Sequence, residues 1–467
     1  MKYNKKAVKK VTVNFDGHKA YKKTDKLELV GILLSSFMTG KDHYNDDPEA
    51  RLVNAVRGVD PTFAMKAALY ARDVFGMRST SHVVAGELAG LKNVPGSQKF
   101  FEKIVVRPDD MLEIISYFTG KYTSTRKNGK VKLPNALKKG FKKAFDKFDE
   151  YSLAKYRGEN KGIKLVDVMN LCNPVPTDRN AEALEKLAKN KLRSFDTWEK
   201  EVSENGPEAW KSLVEEGKLK PFALLRNLRN ISQHAPEVLP KALEQLVDSK
   251  KSRILPFRFY TAYKEMSANK RVVAALDKAV NYADVPEFLE DTLIAVDISY
   301  SMVTPLAGSD KVHCKEVAAF LAAILAKRGY ADVMTFTDRA KMVSFNPADS
   351  VFSITEKIAN SNESRYTNFE CVLEAAKKKY SRIIMLSDMQ VNSGSVGAEA
   401  LKKYKKKFDA DPFIYVWDLR GYSTTQFPEN GQKVIPLAGF SEKIFELMGY
   451  CETDTKALIH AIEAIEL

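Results

Sequence analysis

The stretch Thr292-Leu-Ile-Ala-Val-Asp297-Ile-Ser299-Tyr-Ser301 decides how the rest of the chain is read. Its first five residues are mostly apolar, the pattern of a strand buried in a parallel sheet. An acid and two serines then follow at alternate positions, where such a strand would end and the chain turn. Asp297, Ser299 and Ser301 can all point into one small cup of oxygens there. One carboxylate and two hydroxyls suit a hard divalent cation, which takes oxygen ligands in an octahedron. Three ligands leave the cup incomplete, so further ones are expected from elsewhere in the chain.

Around that stretch lie 467 residues, too many for one core, so two or three domains are expected. With 44% hydrophobic and 29% charged residues the composition is that of a soluble globular protein. The longest purely apolar run, Val317 to Ala326, is too short to span a bilayer, so no membrane association is expected. Met1 to Lys10 is Lys-rich, but no apolar signal core follows, and a cytoplasmic location is expected. Cys172, Cys314, Cys371 and Cys451 are too far apart for a zinc knuckle and read as lone thiols in a reducing compartment.

After the opening stretch, strands and helices alternate. Strands are expected at Leu293–Asp297, Ala331–Phe336, Ala340–Phe345, Arg382–Ser387, Pro412–Trp417 and Val434–Leu437. Helices are expected from Lys311 to Arg328, Asn368 to Tyr380, Gly397 to Phe408, Ser441 to Met448 and Asp454 to Glu466. That order predicts an α/β doubly wound domain over residues 286–467, with its ligand crevice at the carboxyl ends of the strands. Before it, after a short possible strand at Val11–Phe15, residues 27–285 read as helices only. About a dozen short ones recur between Leu29 and Tyr282, with prolines 61, 207, 221 and 236 at first-turn positions. This is the pattern of an all-α HEAT-like helical repeat domain over residues 1–285, with no strict period.

A doubly wound domain gathers the loops that follow neighbouring strands, so the missing ligands belong there. Thr367, in Ser364-Arg-Tyr-Thr-Asn368, precedes an expected helix, and Asp388 ends the apolar run Ile383-Ile-Met-Leu-Ser-Asp388. Asp297, Ser299, Ser301, Thr367 and Asp388 are the five residues of the metal-ion-dependent adhesion site of von Willebrand factor A domains, which this segment resembles. Such a site holds Mg²⁺ through few direct protein oxygens and leaves positions open for a partner's carboxylate or a phosphate oxygen. Catalysis is not expected. A phosphoryl-transfer aspartate would want a second acid two residues on, where Ser299 stands, and no His or Lys holds a motif position to act as base.

Charge divides the chain. Residues 1–200 hold 39 Lys and Arg against 24 Asp and Glu, whereas residues 201–467 hold 35 against 36. A basic front half suits a polyanionic partner. The densest part, Lys121 to Lys143, has nine basic residues and no acid. Lys121, Arg126, Lys127, Lys130 and Lys132 surround an expected loop at Asn128-Gly129. Lys138, Lys139, Lys142 and Lys143 fall on one side of an expected helix, with Phe141, Phe145 and Phe148 on the other. Such a stripe can neutralise successive phosphates, and Tyr122 and Tyr156 are placed to stack on bases.

The helical part resembles the TROVE module of the Ro autoantigen family. The resemblance rests on Asn14-Phe-Asp-Gly17, Asp60-Pro61, Tyr70-Ala-Arg72, Met77-Arg78, Leu137-Lys138-Lys139, Lys155-Tyr-Arg157, Ala223-Leu-Leu-Arg-Asn227 and Leu255-Pro-Phe257. A TROVE part followed by a von Willebrand A domain is that family's arrangement, and a bacterial or phage member is expected. The resemblance implies a ring of HEAT-like helices closed with help from the A domain. It implies binding of small noncoding Y-like RNA on the outer face and of single-stranded 3′ ends of misfolded RNA in a basic hole. It also implies a role in RNA quality control, a monomeric state, and a protein partner such as an exoribonuclease. Lys138, Lys139, Lys155 and Arg157 match basic family positions; Arg126, Lys142 and Lys143 are added on charge alone. Two positions depart from the family. Its Leu-Ser-His is Leu171-Cys172-Asn173 here, without an imidazole, and a basic residue after Arg157 falls at Glu159. The alternative is a Mg²⁺-dependent protein-adhesion scaffold with no RNA role.

Overall fold

A computed structural model describes residues 11–38, 44, 47–122, 126–127, 130–195, 197–249, 254–280, 285, 291–306, 309–329, 331–360, 364–428, 433–441 and 443–467. The chain divides into two compact units, Asp47–Thr197 with Ile459–Leu467, and Met1–Asp46 with Trp198–Leu458. Among the described residues no helix is long and apolar enough to cross a membrane.

The Asp47–Thr197 unit is built of short helices. Two begin alike: the carboxylates of Asp47 and Asp60 accept from the first free N–H groups of Pro48–Arg57 and Pro61–Asp73, and proline takes the first turn where no donor is missed. The Ser97–Ile104 helix packs on Asn135–Ala144. They approach so closely at Gly140 that a Cβ there would stand 2.5 Å from the Cβ of Phe101 and 2.6 Å from the Gln98 carbonyl. That contact buries Leu137, Phe141 and Ala144 and turns the lysines between them away from the core.

One carboxylate organises the polar interior of this unit. Asp110 is fully buried and accepts from Arg72 at 2.8 Å and Arg78 at 2.9 Å, and meets His82 Nε2 at 2.9 Å. The N–H groups of Val106 and Arg107 also donate to it, at 3.0 and 2.8 Å. Burial alone would raise its pKa, but the His82 hydrogen bond and the Arg72 charge outweigh it and hold the carboxyl well below the usual range.

In the other unit the helices Pro221–His234, Leu239–Asp248, Phe257–Met266 and Lys270–Ala279 pack on one another. With them is a six-stranded mixed sheet in the order Val434–Ala438, Phe413–Asp418, Arg382–Ser387, Thr292–Asp297, Asp332–Phe336, Ala340–Val343. Five strands are parallel and the last is an antiparallel edge. Thr292–Asp297 is buried at every residue, as its apolar run requires. Thr292–Asp297, the first strand of this sheet in chain order, lies between Asp332–Phe336 and Arg382–Ser387, so the connections leave it in opposite directions. That makes a switch point at the carboxyl ends of Thr292–Asp297 and Arg382–Ser387. The N-terminal hairpin, Val11–Val13 with Lys19–Lys22, adds Thr424–Thr425 as a third strand. Buried Lys23 closes that join by pairing with Asp418 and donating to the Tyr422 carbonyl at 2.6 Å.

The sequence-based element assignments change in several places. The Ser97–Ile104, Glu150–Lys155 and Trp198–Asn205 helices have no expected counterpart, and the paired strands Arg126–Lys127 and Lys130–Val131 interrupt the stretch expected to be helices only. Four further differences have local causes. Residues 309–313 are a strand paired with Pro305–Leu306, so the long helix begins at Cys314, where Glu316 accepts from the His313 N–H. The helix expected from Asn368 to Tyr380 spans only Glu370–Ala375. The Val351–Ala359 helix was not foreseen, because its β-branched run weakens the helical pattern that the Ser350 cap restores. The Phe257–Met266 helix was missed for the opposite reason: its aromatic residues give no clear apolar stripe.

Candidate functional site

The switch point assembles the oxygen cup. Asp297 ends its strand one position after Val296, which pairs with Leu386, so Ser387 and Asp388 follow directly alongside. Asp297 Oδ1 accepts from the Ser299 N–H at 2.9 Å, and its Oδ2 from the Ser387 hydroxyl at 2.6 Å. The Ser299 and Ser301 hydroxyls lie 3.3 Å apart. The Thr367 loop is tied to the segment after Asp388: its N–H donates to Asn392 Oδ1 at 2.7 Å, and its carbonyl accepts from the Asn392 N–H at 3.2 Å. The Tyr300 N–H donates to the Ser364 carbonyl at 3.0 Å, joining the serine turn to the same loop. All five side chains, from Asp297 to Asp388, are buried.

The electrostatics of the cup are unsatisfied. Asp388 Oδ1 accepts from the Gln390 N–H at 3.0 Å, but its Oδ2 is buried with no hydrogen-bond partner. Burial pushes the pKa of both carboxyls up, and the charge of Asp297 pushes Asp388 further. Two buried acids, an orphaned oxygen and neighbouring hydroxyls form an all-oxygen donor set that fits a hard divalent cation. Among the described residues no group of three or more His, Cys, Asp or Glu could hold a metal, so an ion here depends on hydroxyl and water oxygens as well. Tyr300 and Tyr366, next to the ligand positions in sequence, are 53% and 57% exposed. They were not singled out from the sequence, although each interrupts or adjoins the motif.

The basic stripe lies in the other unit. On Asn135–Ala144, Lys139 and Lys143 are exposed and Lys138 and Lys142 half-buried. Lys143 pairs with Asp146 at 3.2 Å, whereas Lys138, Lys139 and Lys142 meet no carboxylate among the described residues. Lys138 lies near Cys172, whose thiol burial pushes up to about 12. Asn173 beside it closes the Leu165–Cys172 helix in a left-handed conformation, φ 47°. Arg157 is held by Glu159 at 3.0 Å, so the acid at that position occupies a cation as well as replacing one. Lys155 lies over the rings of Tyr151 and Tyr156, and the Arg107 guanidinium covers Tyr156 at 4.1 Å. Arg107 is itself paired with Asp109 at 2.6 Å, so it contributes its flat face over Tyr156 and not a free charge.

Two expectations change here. Tyr122 is spent on packing: its ring lies against Gly90 and 5.2 Å from Phe118. Lys121 is bound to Glu87 at 2.7 Å. Arg126 belongs to the Arg126–Lys127 strand, paired with Lys130–Val131, but its side chain is outside the described residues.

Comparison with known proteins divides the chain at a different place, between residues 283 and 291, and not at the boundary of the two compact units. Residues 18–190 and 180–283 match the TROVE domain, together more than half of the chain, and residues 291–450 match the Ro60 vWA domain. Telomerase protein component 1 of Rattus norvegicus is 25% identical over 323 residues, 50% of this chain and 12% of that protein. The Mus musculus protein of the same name is 26% identical over 296 residues, 45% of this chain and 11% of that one. The chain thus spans little more than a tenth of these relatives. The crystal structure of the Deinococcus radiodurans RO (RSR) protein covers 92% of this chain and 100% of its own, with a TM-score of 0.59 at 17% identity, and shares the fold. These matches define a class, a TROVE helical module with a Ro-type von Willebrand A domain. The chain belongs to the Ro family.

Proposed function

We propose that the chain binds RNA through the face formed by Lys138, Lys139, Lys142, Lys143, Lys155 and Arg157, with Arg126 alongside. The observation that carries this is that three lysines on one helix are without a carboxylate among the described residues. A protein gains little from concentrating unpaired cations unless a polyanion meets them. The RNA is a small structured Y-like noncoding RNA or the single-stranded end of a misfolded one, and the role is a non-catalytic one in RNA quality control in the cytoplasm. The protein acts as a monomer. The second face is the oxygen cup: Asp297, Ser299, Ser301, Thr367 and Asp388 would hold Mg²⁺, directly or through water. The ion would supply an open coordination position for an acidic residue of a protein partner such as an exoribonuclease, with Tyr300 and Tyr366 as flanking contacts.

Charge reversal of Lys138, Lys139 and Lys142 together tests the RNA reading. A gel-shift titration is expected to show binding abolished at moderate salt while circular dichroism is unchanged. Charge neutralisation of the same three residues lowers the salt slope for single-stranded RNA by about 2. Unchanged affinity sinks the assignment of the stripe. Protein purified from its own cells with no excess absorbance at 260 nm over 280 nm favours a protein-adhesion scaffold without RNA.

A further inference from the structure

A second concentration of cations lies in the unit that holds the sheet. The Pro221–His234 and Phe257–Met266 helices line an open cavity of about 270 Å³. Arg226, Arg229, Arg258 and Lys311 line it, with Glu265 as their acid and Phe222 at the wall. Glu265 is already taken: Arg229 donates to it at 2.8 Å and Lys311 pairs with its other oxygen. Arg226 and Arg258 meet no carboxylate among the described residues. Their contacts are aromatic. Both guanidiniums lie over the Phe222 ring, at 5.7 and 6.0 Å, and Arg258 also covers Phe257 at 4.8 Å.

This arrangement works against the fold. Burial lowers the pKa of Arg258, and the neighbouring charge of Arg226 lowers it further. Arg226 is exposed and Arg258 half-buried, so water screens part of the repulsion between them and a bound anion relieves the rest. The planar forks of two arginines present paired donors that match the oxygens of a phosphoryl group.

We propose that this cavity is a phosphomonoester site, with the phosphoryl oxygens bridging Arg226 and Arg258. A terminal phosphate carries a charge of about −1.5 to −2 near neutral pH, which matches two unpaired guanidiniums better than a singly charged phosphodiester. Arg229 and Lys311, held by Glu265, form the rim and set the cavity's shape. Phe222, 42% exposed, offers an apolar ring to whatever the phosphate is attached to. The carrier is either a free nucleotide or the phosphorylated end of an RNA. The site lies outside the Lys138 stripe and does not rest on RNA binding there.

Thermal shift and calorimetry on the full chain test it, with adenosine monophosphate against adenosine. The monophosphate is expected to raise Tm and adenosine to leave it unchanged. In Arg226→Gln/Arg258→Gln the affinity for the monophosphate falls by about tenfold or more. The ligand-free double variant melts at or above the wild-type temperature, because a repulsion has been removed, which separates lost binding from lost folding. A short unstructured RNA with a 5′-phosphate or a 5′-hydroxyl is then titrated against protein carrying Lys138→Glu, Lys139→Glu and Lys142→Glu. Preference for the phosphorylated end, lost in the arginine variant, assigns the site to RNA ends; a response to the nucleotide alone assigns it to a small phosphomonoester. Equal binding by wild type and double variant, or no binding of either phosphate by wild type at millimolar concentration, overturns the proposal.

Discussion

Asp110 and Asp388 are both buried carboxylates, and they are opposite in kind. Asp110 has two arginines, a histidine and two backbone N–H groups, and its pKa is held down. Asp388 has one backbone donor, the Ser301 hydroxyl and the charge of Arg420, which do not offset its burial and the second acid nearby, and its pKa is pushed up. The first is a finished network whose product is the fold. The second is an unfinished one, and an unfinished buried charge is expected where a ligand completes it. The same contrast separates Arg229, tied to Glu265, from Arg226 and Arg258, which are not.

Removing the charge at each site separates the two kinds of carboxylate directly. Asp110→Asn leaves buried Arg72 without its counter-charge and half-buried Arg78 with Asp109 alone, and is expected to cost about 3–5 kcal/mol in denaturant unfolding. Because the folded pKa of Asp110 is depressed, its contribution is present above the ordinary carboxylate pKa and is lost as pH falls below about 4. The stability gap between wild type and variant should therefore narrow on acidification from pH 6 towards pH 3; a constant gap contradicts the network account.

Asp388→Asn should behave in the reverse sense. In a metal-chelating buffer its Tm is expected to equal or exceed that of wild type, since two acids no longer repel. Saturating Mg²⁺ should raise the wild-type stability, by about 2.7 kcal/mol at a hundredfold excess over Kd, and leave the variant unmoved. A large loss of Tm in chelator would show that Asp388 is a structural group like Asp110. The smallest effect is expected at the surface. Glu159→Gln releases Arg157 from a half-exposed pair and should tighten RNA binding by no more than about 1 kcal/mol, with a slightly steeper salt dependence. An unchanged affinity would remove Arg157 from the RNA surface.

Much of the fold was legible because it depends on local pattern. The strand Arg382–Ser387 and the helix Gly397–Phe408 lie where periodicity placed them. The proline-led helix at Pro221 has its proline in the first turn. Misreadings arose where tertiary pairing overrode that pattern, as at residues 309–313, whose partner strand Pro305–Leu306 captured them. The five oxygen-bearing residues were readable as a set because the loops after neighbouring parallel strands must converge. Tyr122 was misjudged because nothing in its own neighbourhood indicates that Gly90 leaves room for its ring.

Residue pattern alone carries the order of most elements, the switch-point strand with its acid and serines, and the helix whose phenylalanines stand opposite four lysines. It also carries the family resemblance. Only the tertiary structure decided which charges are spent. Lys121 meets Glu87 from 34 residues away and Arg157 is held by Glu159, while Lys138, Lys139 and Lys142 meet no carboxylate among the described residues. The same holds for Asp388 Oδ2 and for the arginine pair at 226 and 258. The physical reason is that pairing and desolvation depend on distances between residues far apart in the chain. Composition and spacing state how many charges there are, and the fold settles which of them remain available to a ligand.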